Sequence, residues 1–250
     1  METLGCYGLT RGASPGSNPS VEIQGGAFGA GHPAIGWRVG FLRAPFDRVL
    51  RVTLEWWRSL LPGVDETDLA VPFPDALLSL APIQTPWTRE VIGRTSSDEW
   101  TAHFTNNHLG GDSASWCGHL SGVVGCDAVD ASHIPVGQYP FPATSFTKTT
   151  PHASPALRQH RHVRAGKYDS GRWEFFETGE PLPFEERERY GAKRIRDRFD
   201  QEMLLRYHGA LRIHADDPAF WVGGSLLQHR VTFKPRTSTL DEVRRVYGIE

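Results

Sequence analysis

The chain has 250 residues, 39% of them hydrophobic, with eight Trp and thirteen Phe. A chain of that length buries enough surface to fold without disulfide or metal staples, and no run approaches the ~20 apolar residues of a membrane helix. Net charge is −2, with 9 Lys/Arg against 14 Asp/Glu over residues 1–150 and 18 against 15 over 151–250; that balance is too mild for a nucleic-acid-binding domain.

Cys6, Cys117 and Cys126 are too few and too irregularly spaced for a disulfide framework. The N-terminus lacks the basic start and apolar stretch of an export signal. Free thiols and a cytoplasmic location are the expectation.

Residues 1–33 are rich in Gly, Ser and Pro and read as a flexible arm before one α+β domain over 34–250. GGAFGAG (Gly25–Gly31) has the look of a phosphate loop, but His32-Pro33 and a strand-like run follow it, not a helix. The first strand is predicted at Ile35–Leu42, and a helix opens at Pro45 and Asp47 and runs to Leu60. Phe46, Val49, Leu50, Trp57, Leu60 and Leu61 fall near one face of that helix. From Pro62 to Pro86 the chain is Pro-rich and acidic and reads as a connection, with a short apolar run at Leu77–Leu80.

Thr88–Arg94 and Glu99–Thr105 are predicted as a hairpin, with Trp100, Ala102 and Phe104 on one face and Thr101, His103 and Thr105 on the other. The polar loop Asn106–Asp112 leads into a helix over Ser113–Val124 that buries Trp116, Leu120, Val123 and Val124 and stops at Gly125. Strands follow at Ala128–Ile134 and Ala143–Thr149. A second hairpin joins Leu157–Ala165 to Arg172–Glu177. A charged helix is expected at Phe184–Arg198, then a helix capped by Asp200 with Leu204, Tyr207, His208 and Leu211 on its stripe. The tail reads as a strand at His229–Lys234 and a short helix after Ser238, with Asp241 in capping-box position. Hairpins dominate, so the fold class is α+β: a mostly antiparallel sheet with helices on one face. Strand-then-helix recurs at 35–60 and 99–124, either as two duplicated β-α-β-β units or as a common unit met twice.

Two segments, EWTAHFTNNHLGGD (Glu99–Asp112) and GRWEFFETGEPLPFEERERYGAKRIRDRF (Gly171–Phe199), together with Gly125-Cys126, carry a resemblance. The chain resembles a group of actinomycete proteins with a G-R-W…P-F-E…R-Y-x-A-x-R-x-R-D-R-F signature, over about residues 35–215. The resemblance implies a shared fold and no particular chemistry. The His-rich stretch at 158–164 is not part of that signature.

Arg158, His160, His162 and Arg164 share one face of a predicted strand at period two. Such a face suits an anion clamp with His as acid–base; the plainer reading is a solvated face balanced by Glu174 or Glu177 on the partner strand. The loop before Ser113 offers Asn106 and His108 as ligand-binding candidates, with His103 adjoining. Its Gly-rich turn before a helix can hold an anion, although Asp112 at the N-cap favours capping instead. Ser113 lacks the closing Gly of a nucleophile elbow, and Cys117 and His119 point apart on a helix. No metal-ligand spacing and no cofactor fingerprint are present. The run Glu185–Arg198 reads as a solvated helix face and His208 as a packed histidine.

Two functions follow as expectations. One is a non-catalytic binding protein of accessory or immunity type, anchoring a protein partner through residues such as Trp56, Trp87 and Trp221. The other is a cofactor-independent enzyme on a small anionic substrate, with His160 or His162 as acid–base and Arg158 with Arg164 as clamp.

Overall fold

The computed structural model describes residues 34–247 apart from 109, 110, 112, 153, 155–157 and 159. The arm at 1–33 with its GGAFGAG segment, and the Asp112 cap, lie outside the described residues. In chain order the elements are β1 (Arg38–Leu42), α1 (Phe46–Leu60), β2 (Gly63–Leu69), β3 (Ile83–Thr85), β4 (Arg89–Thr95), β5 (Thr101–Thr105) and α2 (Ser113–Val124). Then come β6 (Ala128–Ile134), β7 (Ala143–Thr149), β8 (His160–Lys167), β9 (Trp173–Thr178), α3 (Gln201–Ala210), β10 (Trp221–Arg230), β11 (Arg236–Ser238) and α4 (Leu240–Tyr247). Nine strands form one sheet in the order β2-β10-β4-β5-β1-β6-β7-β8-β9, and β3 pairs with β11 in a small second sheet. Neighbours in both sheets run antiparallel.

The α+β, antiparallel expectation holds, but the helices lie on both faces. Period two splits each strand between two cores. Val39, Phe41, Val91, Phe104, Val129 and Phe146 face Met203, Leu204 and Tyr207 of α3. Leu42, Ile92 and Ala128 face Val49 of α1 and Trp116 and Leu120 of α2. Each fully buried side chain of this kind contributes about 1.5–3 kcal/mol. The single-face expectation came from β5, where the Thr101–His103–Thr105 side reads as polar. Those three side chains are buried as well.

Most predicted elements are present, among them both hairpins, α1, α2, β6 and β7. Gly125 ends α2 with φ +70° and donates its N–H to Ser121 O, the left-handed stop that favours glycine. Asp200 caps α3 by accepting from Met203 N at 2.9 Å. Within the predicted helix faces, Leu60 and Val123 are exposed. The box on α4 is formed by Thr239 and Glu242, each accepting the other's backbone N–H, and not by Asp241.

Three differences have clear causes. The acidic stretch after Pro62 is an edge strand, β2, with Asp65, Glu66 and Asp68 along it; charges of this kind keep an exposed edge from pairing with other chains. The strand expected at His229–Lys234 is instead β10, which begins at Trp221 and sits between β2 and β4. Gly223-Gly224 hid it, because a Cβ on Gly224 would meet Ile92 O at 2.4 Å. Finally, 184–198 forms short 3₁₀ turns at Arg187–Gly191 and Ile195–Asp197, not a helix. Its side chains are taken up by tertiary bonds. The two strand–helix units also return differently, α1 to the far edge at β2 and α2 to β6 beside β1.

Candidate functional site

The alternation along β8 decides which of its side chains can meet a ligand. Arg161, Val163 and Ala165 point toward α3, while His160, His162 and Arg164 point to the α2 side. Across the sheet, Arg38, Ser132, Ser145, Arg164 and Phe176 occupy one row on that same side. Three strand spacings, roughly 14 Å, separate the Arg38 and Arg164 backbones, and their long side chains converge. Both line a cavity of about 350 Å³ at the end of the sheet beyond α2.

Tyr139, Phe141 and Tyr168 supply the aromatic wall of this cavity, and Ser132, Lys167 and Asp169 supply polar groups. Arg38 holds Asp130 in a two-pronged bond, Nε to Oδ1 at 2.9 Å and Nη2 to Oδ2 at 2.7 Å. Ser113 Oγ donates to the same carboxylate. Arg38 is thus neutralised in place. Arg164 is not. Its Nε is buried without a hydrogen-bond partner among the described residues, and its guanidinium lies 5.1 Å over the Tyr168 ring. Glu174 and Glu177, the expected balancing groups, stand opposite Gly166 and Val163, so Arg164 faces Phe176. A buried guanidinium nitrogen with no acceptor is costly unless an anion completes it.

His108 also lines the cavity, with Nδ1 3.1 Å from the Tyr247 hydroxyl. Burial, and then the Arg236 charge, lower its pKa, so the imidazole is neutral at neutral pH. Of the sequence candidates, Arg164 and His108 therefore meet at one cavity.

The others are placed elsewhere. Arg158 donates through Nε to His152 O at 3.0 Å and through Nη1 to Gly118 O of α2, so it ties chain segments together and is no clamp. Asn106 is fully buried; its Oδ1 accepts Thr88 N and Arg89 N, both at 3.0 Å, and its Nδ2 donates to Pro82 O at 2.8 Å. That is a structural staple. His160 and His162 are bound through Nδ1 to Thr149 and Thr147 at 2.9 and 2.7 Å, and neither lines the cavity with Arg164. His103 is buried under α2, with its ring stacked on Trp116 at 4.0 Å. Its Nε2 is 2.7 Å from Glu90, whose other oxygen lies 3.0 Å from His229 Nε2. Burial opposes the charge on Glu90, but the hydrogen bonds from His103 and His229 outweigh it and lower the pKa.

Cys117 is buried, and burial pushes its thiol pKa well up; it is packed, not reactive. Trp221 belongs to the core, while Trp56 and Trp57 stack on each other at 4.2 Å and Trp56 stacks on His119. Sequence reasoning missed Arg38, Lys167, Tyr139, Phe141 and Tyr168. Lys167 continues β8 beyond the His/Arg pattern, and the three rings reach the cavity from loops with no periodicity.

Among the described residues no helix is long and apolar enough to cross a membrane. No family model matches this chain, and no curated protein or solved structure matches it.

Proposed function

We propose that the protein binds a small organic anion in the cavity between Arg164, Lys167 and Arg38. The observation that carries this reading is the buried, unpartnered Nε of Arg164 beside a cavity. A guanidinium fork suits a carboxylate or phosphate, and the Tyr139, Phe141 and Tyr168 rings suit the organic part of a ligand. Arg164 and Lys167 stand against the one carboxylate of Asp169 at the cavity wall, and neither makes an ion pair among the described residues. Binding is favoured over turnover because His160 and His162 stand apart from the cavity. It is favoured over protein docking because Trp56 is stacked on Trp57 and His119, Trp87 packs edge-on against Trp57 and beside His229, and Trp221 is core.

A thermal-shift series with small carboxylates and phosphates tests the reading. A ligand at a hundred times its Kd adds about 2.7 kcal/mol, a rise of roughly 2–4 °C for a chain this size. Arg164→Ala is expected to remove the rise without lowering the unliganded Tm. Arg158→Ala, at the segment tie, is expected to keep it. A rise that survives Arg164→Ala, or no rise with any anion, overturns the assignment.

A further inference from the structure

We infer that the anion bound at Arg164 is amphiphilic, with an apolar body that passes His108 into a second cavity. The inference rests on the anion-binding reading above and adds the class of ligand. The second cavity, about 430 Å³, lies between β3, β11, the Asn107-His108 turn and α4. Its exposed surface is mostly apolar, with Ile83 from β3, Val243 and Val246 from α4 and Tyr247 closing one side, while Thr85, Asn107 and Ser238 add polar groups at the wall. Val246 is 77% exposed, an aliphatic side chain presented to the cavity and otherwise to water. Glu242 is one of two charged groups among the lining residues, and its carboxylate already accepts Thr239 N at 2.7 Å in the helix cap.

The two cavities share His108 as a wall. His108 is held by the Tyr247 hydroxyl at 3.1 Å. The Tyr247 ring meets Tyr139 of the first cavity edge-on at 4.7 Å. What divides the cavities at this point is a layer of ring side chains, which rotate more readily than backbone moves. Arg236, the other charged lining residue, stands on the far side of this partition with Glu242 in the same cavity wall. Each cavity alone is at the small end of the ~300–1,000 Å³ range for ligand sites; joined, they accommodate a head group and a chain or ring of several carbons. An inorganic anion or a short acid fills only the first.

Straight-chain carboxylates (butanoate, octanoate and dodecanoate) titrated calorimetrically into the full chain test this directly. Burial of each methylene is worth about a fourfold gain in affinity, so affinity is expected to climb two- to fourfold per carbon until the second cavity is filled. Val246→Asp, at an exposed position where folding is not at stake, is expected to cut the dodecanoate-to-butanoate affinity ratio at least tenfold. Arg164→Ala is expected to abolish binding of all three. Equal, Arg164-dependent affinities along the series overturn the amphiphile and leave the anion site standing. A chain-length gain that persists in both variants marks adsorption elsewhere and also overturns it. Absence of binding by every carboxylate and by inorganic phosphate overturns both readings together.

Discussion

Arg161 and Arg164 stand three residues apart on β8, on opposite faces of the sheet, and their surroundings contrast. On the α3 face, Arg161 is buried between two carboxylates, Glu177 at 2.6 Å and Glu185, bonded to Nε at 2.7 Å. Glu185 in turn accepts Leu182 N at 2.9 Å and the Tyr190 hydroxyl at 3.0 Å, and Tyr190 meets the Tyr207 hydroxyl of α3 at 2.8 Å. Burial opposes the Glu185 charge, but these bonds outweigh it and lower its pKa. On the α2 face, Arg164 lies in a cavity with an unmet nitrogen. The same residue type serves architecture where its partners come from the chain, and is free for a ligand where they do not. Glu185 and Tyr190 complete the Arg161 clasp, so this stretch of the chain serves the fold and not the candidate site.

The comparison can be broken first at Arg161. Arg161→Ala leaves Glu185 buried without its counter-charge and is expected to cost about 3–5 kcal/mol, read as a fall in the urea midpoint. A loss below 1 kcal/mol would mean that the clasp is solvated and the contrast false.

Acid sharpens the contrast next. His208 and His133 both lie on the α3 face, with pKa values lowered by burial to about 3 and about 4. Their folded-state pKa values lie below the unfolded value near 6.5. The unfolded chain therefore binds protons first, and stability present above pH 6.5 is lost as pH falls below it. Two such groups give a slope of about 2.7 kcal/mol per pH unit between 6.5 and 4.5. His208→Leu should take about 1.4 kcal/mol per pH unit off the slope in pH-dependent urea melts.

Asn106→Ala tests the sequence candidate that proved to be a staple. It strands Thr88 N and Arg89 N and is expected to cost about 1–3 kcal/mol in the same melts, with anion affinity unchanged. The smallest stability effect belongs to Arg164→Ala, expected within about 0.5 kcal/mol of the parent, although ligand-induced stabilisation disappears. A large destabilisation there would place Arg164 with Arg161 as architecture.

Much of the fold was legible because it depends on local periods. The hairpins, α1, α2 and the Asp200 cap follow from alternation, 3.6-residue stripes and single capping side chains. Within the candidate site, the period-two face that carries Arg164 was legible too, and so was the position of His108 in a loop before a helix. β2 and β10 were not, because an acidic edge and a Gly-Gly strand carry no hydrophobic alternation and are set by pairing across more than a hundred residues.

By itself the sequence determined the α+β class, the antiparallel hairpins and the face on which each β8 side chain stands. Only the tertiary structure decided that Arg158 and Asn106 are structural, that Arg164 lacks a carboxylate, and that His108 joins two cavities. The physical reason is that alternation assigns a side chain to a face, whereas its partner is chosen by register and by loops distant in sequence. One strand position separates Glu177, which serves Arg161, from Phe176, which stands beside Arg164.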